Sequence, residues 1–167
     1  MKFSNIDLGN NVEIDPSTSF NNIRIGDNVK IAKRCSVYGS AAHILEIRND
    51  SYVGMNTIID GYAEKVIIGT NVSIAPNVHI MSASGPNASK ALQRVFPITS
   101  GPVTIGDHSW IGAGAVIMPG VTLGKYCIVA VNSFVNKSFP DFTIIGGAPA
   151  KVIREMTEAE KAKILSE

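Results

Sequence analysis

Three histidines, His43, His79 and His108, are the side chains in this chain that ordinarily titrate near neutral pH. Each is a candidate general acid or base. His79 stands just before the longest irregular stretch, residues 84–102, which holds Ser84 and Asn87 but no histidine. It is therefore the first candidate for a catalytic base, with His43 second. Ser82, Ser84 and Asn87 supply hydroxyl and amide groups that can hydrogen-bond a ligand. Cys35 and Cys127 lie far apart and form no CxxC pair, which fits small buried residues better than a disulfide or a metal site.

The elements that must position these groups announce themselves by a repeat. An aliphatic residue recurs every six positions, and a small or β-branched residue follows it by four. Examples are Ile25-Gly-Asp-Asn-Val29, Ile68-Gly-Thr-Asn-Val72, Ile74-Ala-Pro-Asn-Val78, Ile105-Gly-Asp-His-Ser109 and Ile111-Gly-Ala-Gly-Ala115. A period of six fits neither an α-helix nor a half-buried strand. It fits a chain that turns a corner every six residues, so that three units close a triangular coil. Aliphatic side chains fill the interior, while Gly and Asn near each corner permit unusual backbone angles. Such coils bury their core only against one another and must stack.

The register falters in four places. The step from Phe20 to Ile25 is one residue short, an extra residue sits near Ala42-His43-Ile44, and residues 60–65 add a small loop. Residues 84–102 form the fourth break. A loop that long in a regular solenoid points to function. Beyond Pro140 the repeat fades, and Thr157 with Glu160 forms a capping box for a short terminal helix. Two units are expected: a β-helix over residues 1–154, with its extruded loop at about 84–102, and a C-terminal helix over 155–167.

Composition narrows the function. Hydrophobic residues make up 45% of the chain and charged residues 17%, which fits a packed fold rather than disorder. A net charge of +1 offers no basic surface for nucleic acid. No apolar run is long enough to span a bilayer, and Met1-Lys2-Phe3-Ser4 has no apolar leader, so a cytoplasmic protein without membrane insertion is expected.

These features resemble the hexapeptide-repeat acyltransferases, in the branch of galactoside, maltose, streptogramin and polysaccharide O-acetyltransferases. The resemblance runs from about Leu8 to Arg154. It is most specific in Pro102-Val-Thr-Ile-Gly-Asp-His-Ser-Trp-Ile-Gly-Ala-Gly-Ala-Val-Ile-Met-Pro-Gly-Val-Thr-Leu-Gly124 and in Gly147-Ala-Pro-Ala-Lys-Val-Ile-Arg154. It implies an all-β, left-handed parallel β-helix and a homotrimer with its sites between subunits. It also implies acetyl-CoA as co-substrate and transfer of acetyl to a hydroxyl or amine of a sugar or polysaccharide precursor. A backbone N–H from a Gly-rich coil would hold the oxyanion.

Carried over residue by residue, the resemblance places Trp110, Gly112 and Ala113 at the thioester end of the CoA groove. Ala130 and Ser133 fall along the pantetheine arm, Asn136 and Lys137 near the adenine, and Lys151 and Arg154 at the phosphates. His43 is a candidate acceptor contact with Ser82, Ser84 and Asn87. One departure is plain. The loop histidine of the branch would fall near position 85, which is Gly85 here, so the base is assigned to His79. Two alternatives follow from the same resemblance. One is a catalytically degenerate trimer that binds CoA or a sugar. The other is a γ-class carbonic anhydrase, whose zinc needs three histidines; His43 and His79 are 36 residues apart, but no close His-x4-His pair is present.

Overall fold

The structure, a computed structural model, describes residues 4–166. Met1, Lys2 and Phe3, read above as part of a terminus without a leader, lie outside the described residues. The chain winds into a three-faced solenoid of parallel strands. Face 1 stacks Ile6–Leu8, Ile23–Ile25, Leu45–Ile47, Val66–Ile68, Val103–Ile105 and Thr122–Leu123. Face 2 stacks Glu13–Ile14, Lys30–Ile31, Tyr52–Val53, Ser73–Ile74, Trp110–Ile111, Ile128–Val129 and Thr143–Gly147, and ends in an antiparallel strand, Ala150–Glu155. Face 3 stacks Ser19–Asn21, Ser36–Gly39, Ile58–Gly61, His79–Met81, Val116–Ile117 and Phe134–Val135.

The six-residue unit explains each coil. Its aliphatic residue points inward: Ile25, Ile47, Ile68 and Ile105 are at most 2% exposed, and so are Ile31, Val53, Ile74 and Ile111 on the next face. The small residue four positions on fills the corner, as Val29, Val72, Val78, Ala115 and Cys127 do. The residue between them turns the chain with positive φ: Asn28, Asn56, Asn71, Asn77, Gly114 and Asn132 all adopt it. Asn and Gly tolerate this region, which explains their recurrence. Both cysteines are buried and unpaired, as expected.

At the corner between faces 1 and 2 the turn residues form a ladder. Asn11 Nδ2 donates to Asn28 Oδ1 at 3.1 Å, and Asn28 Nδ2 donates to Asp50 Oδ1 at 2.9 Å. Higher up, His108, Tyr126 and Phe142 occupy the same position, and their rings stack at 4.8 and 4.9 Å. Above the last coil, the helix Glu158–Ile164 starts from Thr157, and the capping box with Glu160 is formed. Lys161 Nζ lies 5.6 Å over the Phe142 ring, and Met156 is buried beneath the helix.

All the irregularities of the repeat emerge at one corner, between faces 3 and 1. Ile6 pairs with Ile23, 17 residues on, which matches the short step after Phe20. Ile23 pairs with Leu45, 22 residues on. Four residues rather than one are therefore added to an 18-residue coil near His43, a correction to the sequence reading. Glu46 pairs with Ile67 at a spacing of 21, and Val66 with Val103 at 37, which locates the small loop and the long one.

Candidate functional site

The outer side of face 3 leads up to the long loop. Because Ile59 and Ile80 are fully buried, their neighbours Ile58, Asp60, His79 and Met81 point outward. His79 pairs with Ile58 below and Val116 above, so its immediate neighbours in the column are apolar. Asp60 pairs with Met81, which makes Asp60 and His79 diagonal neighbours on one surface. The strand spacing and rise place their Cα atoms about 8 Å apart. Asp60 Oδ1 also accepts from the backbone N–H of Tyr62 at 2.9 Å. Tyr38 pairs with Asp60 on its other side, and burial, followed by the charge of Asp60, pushes the Tyr38 phenol upward in pKa. Asp60 was missed in the sequence; the signal was an acidic residue ending the strand one coil below His79, hidden by the inserted residues between.

The loop leaves face 3 as a two-stranded ribbon, Ala83–Ser84 against Thr99–Ser100. Its tip carries the helix Lys90–Gln93, capped by Ser89, and exposes Leu92, Val95, Phe96 and Ile98. A Cβ on Gly85 would lie 2.7 Å from Ile98 Cα. The ribbon is thus closed where the branch would place its histidine, and no side chain fits there without moving the opposite strand.

The acceptor candidates separate on inspection. Ser82 is fully buried, and its hydroxyl accepts from the backbone N–H groups of Ala63 and Glu64 at 3.2 and 3.3 Å. It anchors the small loop and does not face solvent. Ser84 is half-buried in the ribbon, where its carbonyl accepts from Thr99 Oγ1 at 3.2 Å. Asn87 is exposed on the loop, with its carbonyl held by Gln93 Nε2 at 3.1 Å. His43 lies in the turn at the corner, its backbone N–H and carbonyl both bonded to Ser40.

The residues assigned to CoA follow two different edges. Trp110, 55% exposed, stands on face 2 in a column with Ser73 and Ile128. Ala113 and Ala130 sit half-buried on the corner between faces 2 and 3. Gly112 is buried there because the next coil is so close: an added Cβ would lie 2.6 Å from the Val129 carbonyl oxygen. Ser133 is 1% exposed, and its hydroxyl donates to the Ala130 carbonyl at 2.7 Å and accepts from the Gly147 N–H at 3.3 Å. It shapes the corner from inside and presents no group outward. Asn136 and Lys137 are exposed at the far end of face 3, with Lys137 Nζ 5.5 Å over the Phe139 ring. Lys151 is exposed on the final strand. Arg154 is engaged by both carboxylate oxygens of Glu160, at 2.7 and 2.9 Å, which holds Glu160 down to a pKa of about 2.

The three histidines occupy separate places: His43 in a turn, His79 on face 3 and His108 in the ring stack of another corner. Among the described residues no group of three His, Cys, Asp or Glu is placed to hold a metal ion. No helix among them is long and apolar enough to cross a membrane.

Residues 102–137 match the bacterial transferase hexapeptide (six repeats) family. Galactoside O-acetyltransferase of Escherichia coli (strain K12) is 40% identical over 125 residues, which cover 74% of this chain and 59% of that protein. Galactoside O-acetyltransferase of Lactococcus lactis is 31% identical over 110 residues, covering 65% of this chain and 52% of the relative. The chain thus spans under two thirds of the length of these relatives. Among solved structures, AntD, an N-acyltransferase from Bacillus cereus in complex with dTDP and 3-hydroxybutyryl-CoA, superposes with a TM-score of 0.81 at 25% identity. The match covers 95% of this chain and 85% of that one. The fold is that of the left-handed β-helix acyltransferases.

Proposed function

We propose that this chain, a hexapeptide-repeat relative of the galactoside O-acetyltransferases, transfers an acetyl group from acetyl-CoA to a hydroxyl or amine of a sugar or polysaccharide precursor. One observation carries the reading. His79 faces outward at the base of the corner from which all three chain extensions emerge, with Asp60 on the coil below, on a scaffold of transferase repeats. His79 takes the acceptor proton as the nucleophile attacks the thioester carbonyl; collapse of the tetrahedral intermediate breaks the C–S bond, and the CoA thiolate leaves with that proton returned from His79. A corner N–H meets the oxyanion of that intermediate, as such preorganised donors do.

CoA fits this chain as a mobile co-substrate. The Trp110 side chain and the small residues Ala113 and Ala130 line one edge, and Lys151 offers a cation for phosphate. His79 and Trp110 occupy different faces of one solenoid. A single groove holding both is completed by face 2 of one copy and face 3 of the next. A closed ring of three copies repeats that contact, which supports a homotrimer. A soluble cytoplasmic enzyme is the corresponding location. The closed ribbon at Gly85 favours a second reading, a CoA- or sugar-binding protein without turnover.

Thiol release from acetyl-CoA, followed with a panel of sugar acceptors, tests the proposal. His79→Ala is expected to lower transfer by about 10²-fold or more while CoA still binds. Undiminished turnover in that variant would remove His79 from the mechanism. CoA binding without thiol release on any acceptor would establish the second reading.

A further inference from the structure

The two shorter extensions at the loop corner form a hollow of about 480 Å³. That is within the range of small-molecule sites. One wall is the turn that carries Ser40 and His43; the other is the turn that carries Tyr62 and Ala63, with Asn22 at the base. Both walls are pinned. The Ser40 N–H donates to the His43 carbonyl at 2.9 Å, and the His43 N–H donates back to the Ser40 carbonyl at 3.1 Å. The second wall is tied to Ser82 and Asp60 by the N–H groups of Ala63, Glu64 and Tyr62. The walls are therefore set before any ligand arrives.

We infer that this hollow is the acceptor subsite for an uncharged saccharide ring, and that it rejects nucleotide-sugar diphosphates. The inference rests on the acyltransferase reading above. Tyr62, 66% exposed, presents a flat apolar ring for the C–H face of a sugar. The His43 imidazole and the Ser40 hydroxyl supply hydrogen-bonding groups that sugar hydroxyls need, while the Asn22 amide at the base is held by Asn5 and the Gly39 carbonyl. No Asp, Glu, Lys or Arg lines the hollow. A diphosphate is held by cations. The cations of the neighbouring face are already committed: Lys65 pairs with Glu46 at 2.6 Å, and Arg24 bridges Asp7 at 3.2 Å and Glu46 at 3.6 Å. The hollow is adjacent to the surface that carries His79, because Tyr62 is bonded to Asp60.

Saturation-transfer NMR on the full chain, with methyl hexosides, methyl disaccharides, dTDP and UDP as probes, tests the subsite without turnover. A neutral glycoside should bind, and Tyr62→Ala should weaken it about tenfold, the scale of one aromatic contact. His43→Ala should weaken it similarly, while CoA affinity, titrated separately, stays unchanged in both variants. Binding of dTDP or UDP at the hollow, lost in Tyr62→Ala, would overturn the inference. So would neutral-glycoside binding indifferent to both substitutions, or its absence. Failure to bind CoA would instead sink the acyltransferase reading, and the two results are read independently.

Discussion

Gly85 and Ser82 show how single residues fix what the loop can do. The ribbon is so tight at Gly85 that an added Cβ meets the Ile98 backbone. Gly85→His is therefore expected to open the ribbon rather than supply a base. Thiol release should not rise, and limited proteolysis of residues 84–102 should quicken; a gain in activity would contradict the geometry. Ser82→Ala leaves the N–H groups of Ala63 and Glu64 without their hydroxyl acceptor. Losing a buried partner of this kind costs about 1–3 kcal/mol, measurable by chemical denaturation. His79 was legible in the sequence because it borders the loop. The proximity of Asp60 was not, because three residues inserted at 61–65 set its coil 21 rather than 18 residues from that of His79. The inward hydroxyls of Ser82 and Ser133 could not be told from outward ones either, since a small polar residue suits a corner interior as well as a surface.

At the scale of elements, the terminal helix is held by a cap that titrates. Glu160 accepts from Arg154 and from the Thr157 N–H, and these bonds lower its pKa from the ordinary carboxylate value to about 2. A carboxylate depressed in the folded state stabilises above its unfolded pKa of about 4.3 and loses that contribution as pH falls toward the folded value. The helix Glu158–Ile164 should thus hold its helical chemical shifts at about pH 5 and fray progressively between about pH 4 and pH 2. Glu160→Gln should remove the pH dependence; an equally steep response in that variant would place the titrating group elsewhere. Thr157 and Glu160 spelled this cap out in the sequence at the required spacing. The hairpin of Thr143–Gly147 with Ala150–Glu155 was not spelled out, because an antiparallel return leaves no six-residue period to read.

The whole molecule behaves as a stack in which each coil is covered by its neighbours. Its energetics should therefore depend on position along the axis as well as on residue type. Ile111 is fully buried, paired with Ile74 below and Val129 above. Ile14, the same repeat position in the first described coil, pairs among the described residues with Ile31 alone and is half-buried. Ile111→Ala removes methyl groups from a site enclosed on both sides, at an expected cost of about 2–5 kcal/mol. Ile14→Ala acts at a site that is already half-buried, so its cost should fall below about 2 kcal/mol. Urea denaturation of the two variants decides between a position-dependent stack and a uniformly cooperative core: equal losses would contradict nearest-neighbour stacking. The comparison bears on function too. The coil of Ile111 carries Trp110 on face 2 and follows directly after the long loop, so a cavity there would loosen both edges of the proposed groove. Ile111→Ala should accordingly weaken CoA binding at temperatures where the fold persists, whereas Ile14→Ala, four coils away, should leave CoA binding intact.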